Sequence, residues 1–364
     1  MRKNLRISMP KNFIRYNLNF KENVKIAICF GTRPEIIKLS LLSEKLTNKY
    51  EVLNVFTGQH HSLYEDVKRL IPIIHQRIPL LEYENLNLLY ADLIKGLYDY
   101  FNKEKPNLII VQGDTASSYC GAFCAFMMGI KIGHVEAGLR TNDMFSPYPE
   151  EFNRQMIGKI ADYNWCPSQS AAENLKREGA NGKIIFTGNT IVDFIHKMCD
   201  ISKIIYKNEI VVTLHRRENK ELFSNMLEQI NREAITHPSL NFVFPVHPNP
   251  NIRKQLNILT APNVLVREPM RYEDFLLLLL RCKGIITDSG GIQEEALCLR
   301  KKTLICRNNT ERKEGVNIGI TRLVGNEIEE NFEWLLTPFE KEFDNPYGDG
   351  DACTKIINSI KDLK

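Results

Sequence analysis

Short apolar runs, each leading into a polar or glycine-containing loop and then a helical pattern, recur along this chain, and that repeat most limits its fold. VKIAICF (24–30), NLIIVQ (107–112), KIGHV (131–135) and KIIFTG (183–188) form a first set. EIVVTL (209–214), NFVFPV (241–246), NVLV (263–266), CKGIITD (282–288) and KTLIC (302–306) form a second. Strands that alternate with helices build a parallel sheet covered on both faces. The restart after residue 200 predicts two Rossmann-like α/β domains with a cleft between them. The linker ISKIIYKNE (201–209) holds no glycine or proline, so the division rests on the restart. The expected organisation is an extension over 1–23, a first domain over 24–200, a second over 201–345, and an amphipathic helix within 346–364.

Composition removes several function classes. The 364 residues are 43% hydrophobic and 25% charged, with a net charge of +4, too small and too dispersed for a nucleic-acid surface. It fits a protein that meets an anionic small molecule locally. The nine cysteines are odd in number, form no CxxC and mostly sit in apolar runs, which predicts buried thiols in a reducing compartment. Cys120 and Cys124 share a helix face, but no further His or Cys completes a zinc site, so no metal is expected. The longest apolar run, FLLLLL (275–280), is too short to span a membrane, and the first 24 residues, though basic, lack the apolar core and cleavage site of a secretory signal.

The motifs fall at the carboxyl ends of the expected strands, where open α/β sheets bind ligands. In GTRPEIIK (31–38), Gly31 permits a tight turn, Pro34 suits a first helical turn, and Arg33 stands at a helix N-terminus, a place for phosphate or carboxylate. Lys38 lies one turn on, and is equally readable as a surface lysine. There is neither GxGxxG nor GxxxxGK[ST], so no nicotinamide fingerprint or P-loop is supported. In QGD (112–114), Asp114 either caps the next helix or faces the cleft as a base. The stretch HVEAGLRTNDMFSPYPEEFNR (134–154) places carboxylates at two separated points, as a general acid and base require. Glu136 follows a buried strand directly. Glu150 and Glu151 also suit a helix start, and Asp143 and Glu151 are expected to be ordinary surface or helix-start residues. In TLHRREN (213–219), His215 with Arg216 and Arg217 makes an electropositive strand end. In TDSGGIQEEA (287–296), Ser289, Gly290 and Gly291 form a turn whose N–H groups can cradle an anion. Glu294 or Glu295, further along, can accept from ribose hydroxyls, and Arg312 can face the same phosphates.

Together with SPYPEEFNRQ, TGNTIVD, PVHPNP, TER and NPYGDGDAC, these motifs resemble the non-hydrolysing UDP-N-acetylglucosamine 2-epimerases, in order, from residue 24 to the C-terminus. The resemblance implies the two-domain GT-B architecture, with the final helix crossing back onto the first domain. It implies interconversion of UDP-N-acetylglucosamine and UDP-N-acetylmannosamine without NAD or metal, by elimination of UDP to 2-acetamidoglucal and re-addition, for bacterial surface polysaccharide synthesis. By motif position, Asp114, Glu136, Glu150 and His215 match the family's catalytic residues. Arg33, Lys38, Arg154, Ser289, Gly290, Gly291, Glu295 and Arg312 match residues that bind substrate, with His215 also at a UDP-contacting position. A cytoplasmic homodimer is the family expectation. Many bacterial members carry a second, activating substrate site built on QHxxMxxQ. Gln59, His60, Arg217 and His247 are the candidates for it here, but QHHSLYED has Leu63 and Asp66 at the later positions, so the usual activation is not expected. LHRRE and TERKE also depart from the family's GHRRE and TERPE. The nearest rival is an epimerase of a related UDP-2-acetamido sugar; a hydrolysing epimerase or a GT-B glycosyltransferase ranks lower.

Overall fold

The computed structural model describes residues 24–59, 64–80, 85–200, 206–216, 219, 221–246 and 250–363. Among these residues are thirteen strands and thirteen helices, mostly in alternation. The strands are β1 (Lys25–Phe30), β2 (Glu51–Phe56), β3 (Gln76–Arg77), β4 (Leu108–Gln112), β5 (Lys131–Val135), β6 (Tyr163–Cys166), β7 (Lys183–Phe186), β8 (Glu209–Thr213), β9 (Asn241–Pro245), β10 (Val264–Arg267), β11 (Gly284–Thr287), β12 (Lys302–Ile305) and β13 (Thr321–Leu323). The helices are α1 (Arg33–Leu46), α2 (Leu86–Glu104), α3 (Ala116–Met127), α4 (Glu150–Ile160), α5 (Gln169–Arg177), α6 (Thr190–Met198), α7 (Phe223–Thr236), α8 (Pro250–Arg253), α9 (Tyr272–Arg281), α10 (Gly290–Cys298), α11 (Glu314–Ile318), α12 (Ile328–Leu336) and α13 (Ala352–Ser359).

Two parallel sheets result. The first has the order β3-β2-β1-β4-β5-β6-β7, the second β10-β9-β8-β11-β12-β13. Each reverses direction once, between β1 and β4 and between β8 and β11. Those reversals open a crevice at the carboxyl end of each sheet. The fold class expected from the repeat is therefore present twice.

β2, β3, β6 and β13 add to the strands expected from the apolar runs. β2 and β6 carry buried polar residues that break the apolar pattern. Asn54 accepts from Ser43 Oγ at 2.9 Å and donates to Ile73 O at 3.1 Å, while Asn164 donates to Gly158 O at 3.3 Å. Such partners exist only in the folded chain, and they offset the cost of burying an amide, only in part for Asn164, whose Oδ1 has no hydrogen-bond partner among the described residues. β3 and β13 are short edge strands.

The run FLLLLL lies inside α9, where Leu276, Leu278, Leu279 and Leu280 are buried. Among the described residues no helix is long and apolar enough to cross a membrane, and no group of three potential metal ligands is assembled. All nine cysteines are buried free thiols. Cys120 and Cys124 donate to the Tyr90 and Ile94 carbonyls of α2, and burial pushes the Cys124 thiol up to about 11.

The last helix packs against the first sheet's helices. The Asp193 carboxylate of α6 accepts from the Ala352 and Cys353 amides at 3.0 and 2.9 Å, capping α13 from a different element. Trp165 of β6 donates to Ser359 Oγ at 2.8 Å.

Candidate active site

The site assembles where the two crevices face each other. β1 ends at Phe30, and the turn Gly31–Thr32 starts α1 through a capping box between Thr32 and Glu35. Glu35 does more than cap. Its Oε2 accepts from the Gly31 and Thr32 amides and from Thr32 Oγ1, at 2.8–2.9 Å. Its Oε1 accepts from Thr115 Oγ1 at 2.7 Å and Ser118 Oγ at 2.8 Å. One buried carboxylate thus ties the turn after β1 to the turn after β4. The pattern T-x-x-E was readable in the sequence; the second pair of partners was not.

Asp114 does not cap α3. Thr115 does, accepting from the Ser118 amide. The Asp114 carboxylate is left to Arg154 of α4, whose Nε donates to it at 3.1 Å and whose Nη2 lies closer still. In the sheet Gln112 pairs with Val135, so Glu136 leaves its strand level with Gly113, and Asp114 follows one residue further on. His134 Nε2 bonds the Gly113 carbonyl at 2.8 Å and steadies that turn; burial pulls this histidine down to about 4.

Glu136 has φ 65°, a left-handed conformation that costs a residue with a Cβ and recurs at functional sites. Its side chain is buried in a ring of alternating charge. Lys38 Nζ bonds Glu136 Oε2 and lies 2.6 Å from Glu294 Oε2. Arg312 donates from Nε to Glu294 Oε1 at 2.7 Å and from Nη2 to Glu136 Oε1 at 3.2 Å. Asn189 Nδ2 lies 3.3 Å from Glu136 Oε2. Lys38 and Glu136 come from the first domain, Glu294 and Arg312 from the second, so the ring crosses the interface. Lys38 is therefore no surface lysine. Burial lowers its ammonium, but the two carboxylates outweigh this and the net shift is upward. Burial and then the nearby Glu294 push the Glu136 carboxyl up, against the pull of Lys38 and Arg312.

A second ionic chain runs beside the first. Glu311 bonds Arg312 Nη1 and Arg307 Nη1, the latter at 3.2 Å, and lies 3.9 Å from Arg154. Although burial opposes it, these guanidinium groups hold the Glu311 carboxyl well below the usual range. Glu151 does stand in the first turn of α4, as one reading had it, but it is fully buried rather than on the surface. It accepts from Arg154 Nη1 at 2.9 Å and from the amides of Thr141 and Asn142 at 3.0 and 3.2 Å, fixing the loop before α4. Asp143 is exposed, as expected. Glu150 is pushed up by burial and then by Asp114, and its buried Oε2 has no hydrogen-bond partner within the protein.

On the second sheet, Asp288 organises the strand ends. Fully buried, it accepts from the His215 amide at 2.9 and 3.1 Å and from the Arg216 amide at 2.8 Å, while His215 Nδ1 lies 3.3 Å from its Oδ1. Ser289 is the N-cap of α10, which begins at Gly290. A Cβ on Gly290 would stand 2.7 Å from Arg312 Nη1 and 3.1 Å from Glu311 Oε1, so the Arg312 guanidinium rests directly on the helix start. Arg33 Nη2 donates across the interface to Met270 O at 3.0 Å. Glu295 accepts from Tyr272 Oη at 2.8 Å, and burial pushes its carboxyl up to about 7. Gln59 Oε1 accepts from Ser117 Oγ at 2.8 Å at the start of α3. His60, Arg217 and His247 lie outside the described residues.

Glu35, Asn189, Tyr272, Asp288 and Glu311 escaped the sequence reading, and Glu294 stood only as an alternative to Glu295. Apart from the T-x-x-E pattern, their signal is the identity of a distant partner.

Two Rossmann-like sheets that meet crevice to crevice across a buried ionic seam define a GT-B-type α/β protein. The model for UDP-N-acetylglucosamine 2-epimerases matches residues 44–361. The UDP-N-acetylglucosamine 2-epimerase of Campylobacter jejuni is 39% identical over 373 residues, covering 92% of this chain and 97% of that one. The Neisseria meningitidis UDP-GlcNAc 2-epimerase bound to UDP-GlcNAc superposes with a TM-score of 0.86 at 33% identity, covering 93% of this chain and 99% of that one. The S. aureus MnaA–UDP co-structure has the same TM-score, 0.86, and 33% identity, covering 93% and 96%. The chain belongs to the UDP-N-acetylglucosamine 2-epimerase family.

Proposed function

We propose that this chain interconverts UDP-N-acetylglucosamine and UDP-N-acetylmannosamine by inverting C2 of the sugar, without hydrolysing the product. The observation that carries the reading is the buried ring of Glu136, Lys38, Glu294 and Arg312. It couples the carboxylates of the first domain to the arginine that rests on the Ser289–Gly290–Gly291 helix start. Family membership, and a relative bound to UDP-GlcNAc, support the substrate.

The C2 proton is weakly acidic, so its removal must accompany departure of the anomeric phosphate. A carboxylate takes that proton as the C1–O bond breaks, leaving UDP and 2-acetamidoglucal. UDP oxygen then returns to C1 while a proton is delivered to the opposite face of C2. Atoms balance and no oxidant is needed. UDP rests on Arg33, His215, Ser289, Gly290, Gly291 and Glu295 in this reading. Its diphosphate competes for Arg312 and Lys38, releasing Glu136 toward the sugar as a base. Asp114 and Glu150 form the second acid–base pair. Arg154 pairs with Asp114, whereas Glu150, raised by burial and then by the nearby Asp114 charge, is the group suited to carrying a proton. Closure of the two domains retains UDP between the half-reactions.

In this reading the protein works as a homodimer in the cytoplasm. Phe145 and Tyr148, 81% and 62% exposed, stack on each other before α4, and Phe126 and Met127 are exposed at the end of α3. Apolar surface of this kind supports a partner. The buried thiols fit a reducing compartment.

Incubation with UDP-N-acetylglucosamine in deuterated water, followed by proton NMR, tests the reading. The expected result is UDP-N-acetylmannosamine as the minority species, with deuterium at C2 of both sugars. Free N-acetylmannosamine as the main product points to hydrolysis. Exchange only with another UDP-2-acetamido sugar moves the substrate assignment.

A further inference from the structure

We infer that Tyr272 is a positioning residue that sets how Glu295 meets the ribose, and thereby how strongly the protein prefers UDP to its 2′-deoxy form. This rests on the reading of the cleft as a UDP-sugar site, and on a contact between two residues that sequence spacing does not connect.

Glu295 projects from α10, whose N-terminus carries Ser289, Gly290 and Gly291. Its two oxygens are in different situations. Oε1 accepts from the Tyr272 hydroxyl at 2.8 Å. Oε2 is buried and has no hydrogen-bond partner within the protein. Buried polar atoms left without partners are rare, and a buried carboxylate oxygen is among the costliest to leave so. A sugar hydroxyl reaching Oε2 would complete the carboxylate.

Without a partner the terminal torsion of a glutamate is broad and roughly two-fold, so its plane is undefined. The Tyr272 hydroxyl removes that freedom. It holds one oxygen and leaves the other as the acceptor for the ligand. Tyr272 is itself fixed. It is buried at the start of α9, and its ring packs against Phe194 of α6 with centroids 5.6 Å apart and planes tilted by 58°. Tyr272 and Glu295 both belong to the second domain, and because α6 belongs to the first, the tyrosine that orients Glu295 is buttressed by Phe194 from across the cleft. Glu295 therefore has its defined orientation when the two domains are together.

A site that hydrogen-bonds a hydroxyl rejects the analogue lacking it, because the buried acceptor is left unpaired. The preference for ribose should then depend on the Tyr272 hydroxyl, and not only on the Glu295 carboxylate.

The experiment measures binding of UDP and of 2′-deoxy-UDP by titration calorimetry to the full chain and to Tyr272→Phe, which keeps the ring against Phe194 and removes only the hydroxyl. The wild type is expected to favour UDP over 2′-deoxy-UDP by about tenfold or more, the scale of a hydrogen bond to a charged group. In Tyr272→Phe that ratio should fall at least threefold, through weaker UDP binding. In a Glu295→Gln background, adding Tyr272→Phe should change the ratio no further, since coupled residues do not add. Equal weakening for both nucleotides would mean that Tyr272 only packs, and would overturn the inference; so would an unchanged ratio. Failure of the wild type to bind UDP would instead remove the reading of the cleft on which the inference stands.

Discussion

Replacing Glu136 by glutamine removes one charge from a buried ring while keeping its shape, and the consequences differ for stability, binding and chemistry. The carboxylate receives Lys38, Asn189 and Arg312, and the ring as a whole balances two carboxylates against two cations. The amide retains one acceptor oxygen but turns an NH₂ toward a cation. Breaking a buried ion pair by removing one partner costs about 3–5 kcal/mol. Here Glu294 still faces both Lys38 and Arg312, at 2.6 and 2.7 Å, which places the expected loss at the lower end, about 3 kcal/mol. With an unfolding entropy that scales with chain length, this corresponds to a fall in Tm of about 4 °C. UDP binding should be kept or strengthened, because the ring gains a net positive charge where a diphosphate arrives. Deuterium incorporation at C2 should fall by about 10²–10⁴, the usual contribution of a positioned acid–base group, or about 3–5 kcal/mol in activation free energy. The assays are thermal unfolding, UDP calorimetry and proton NMR in deuterated water, on one preparation. Exchange within threefold of the wild type would refute the catalytic role. Loss of UDP affinity by more than tenfold would show instead that Glu136 holds the cleft together.

Glu151→Ala should destabilise the protein by about 3–5 kcal/mol, because it strands the buried Arg154 and two loop amides; a loss under about 1 kcal/mol in urea unfolding would contradict its structural assignment. Gly290→Ala puts a methyl group 2.7 Å from Arg312 Nη1 and should weaken UDP binding about tenfold, with overpacking of about 1–3 kcal/mol; unchanged calorimetry would show that the guanidinium moves aside freely. For Glu295, burial pushes the carboxyl from 4.5 up to about 7, so it is protonated below that pH and charged above it. UDP affinity should therefore decline as pH falls through about 7, and this decline should be absent in Glu295→Gln. In the ligand-free protein the sign is opposite: the raised folded value contributes stability that is fully present below 4.5 and lost as pH rises through about 7. A parallel pH profile for wild type and Glu295→Gln would remove Glu295 from the ligand contacts.

Local pattern was enough to read most of the frame. A strand covered on both faces needs apolar residues throughout, and the turn that follows needs glycine or a capping residue, so β1, β4, β5, β8, β9 and β11 and the loops at their carboxyl ends announce themselves. So does α10 after Ser289, where the glycines and the following acids mark an anion-binding helix start. β2 and β6 were not legible, because Asn54 and Asn164 look unsuited to a buried strand until their tertiary partners are in place.

The candidate site divides along the same line. That Asp114, Glu136, His215 and Ser289 stand at strand ends, and Glu150 at a helix start, follows from the order of residues alone, since the strand period and turn chemistry depend only on near neighbours. Which charge faces which was decided by the tertiary structure. Glu294 and Glu295 are adjacent, yet successive residues on a helix point about 100° apart, and this sends one into the ionic ring and the other to Tyr272. Lys38 meets a carboxylate 98 positions away, and Arg312 meets the same carboxylate across 176 positions. Such pairings form only when two separately folded sheets bring their crevices together and exclude water. That burial changes Lys38 from a solvated surface cation into half of a buried bridge, whereas Glu151, at the start of α4, anchors a loop through partners within its own domain.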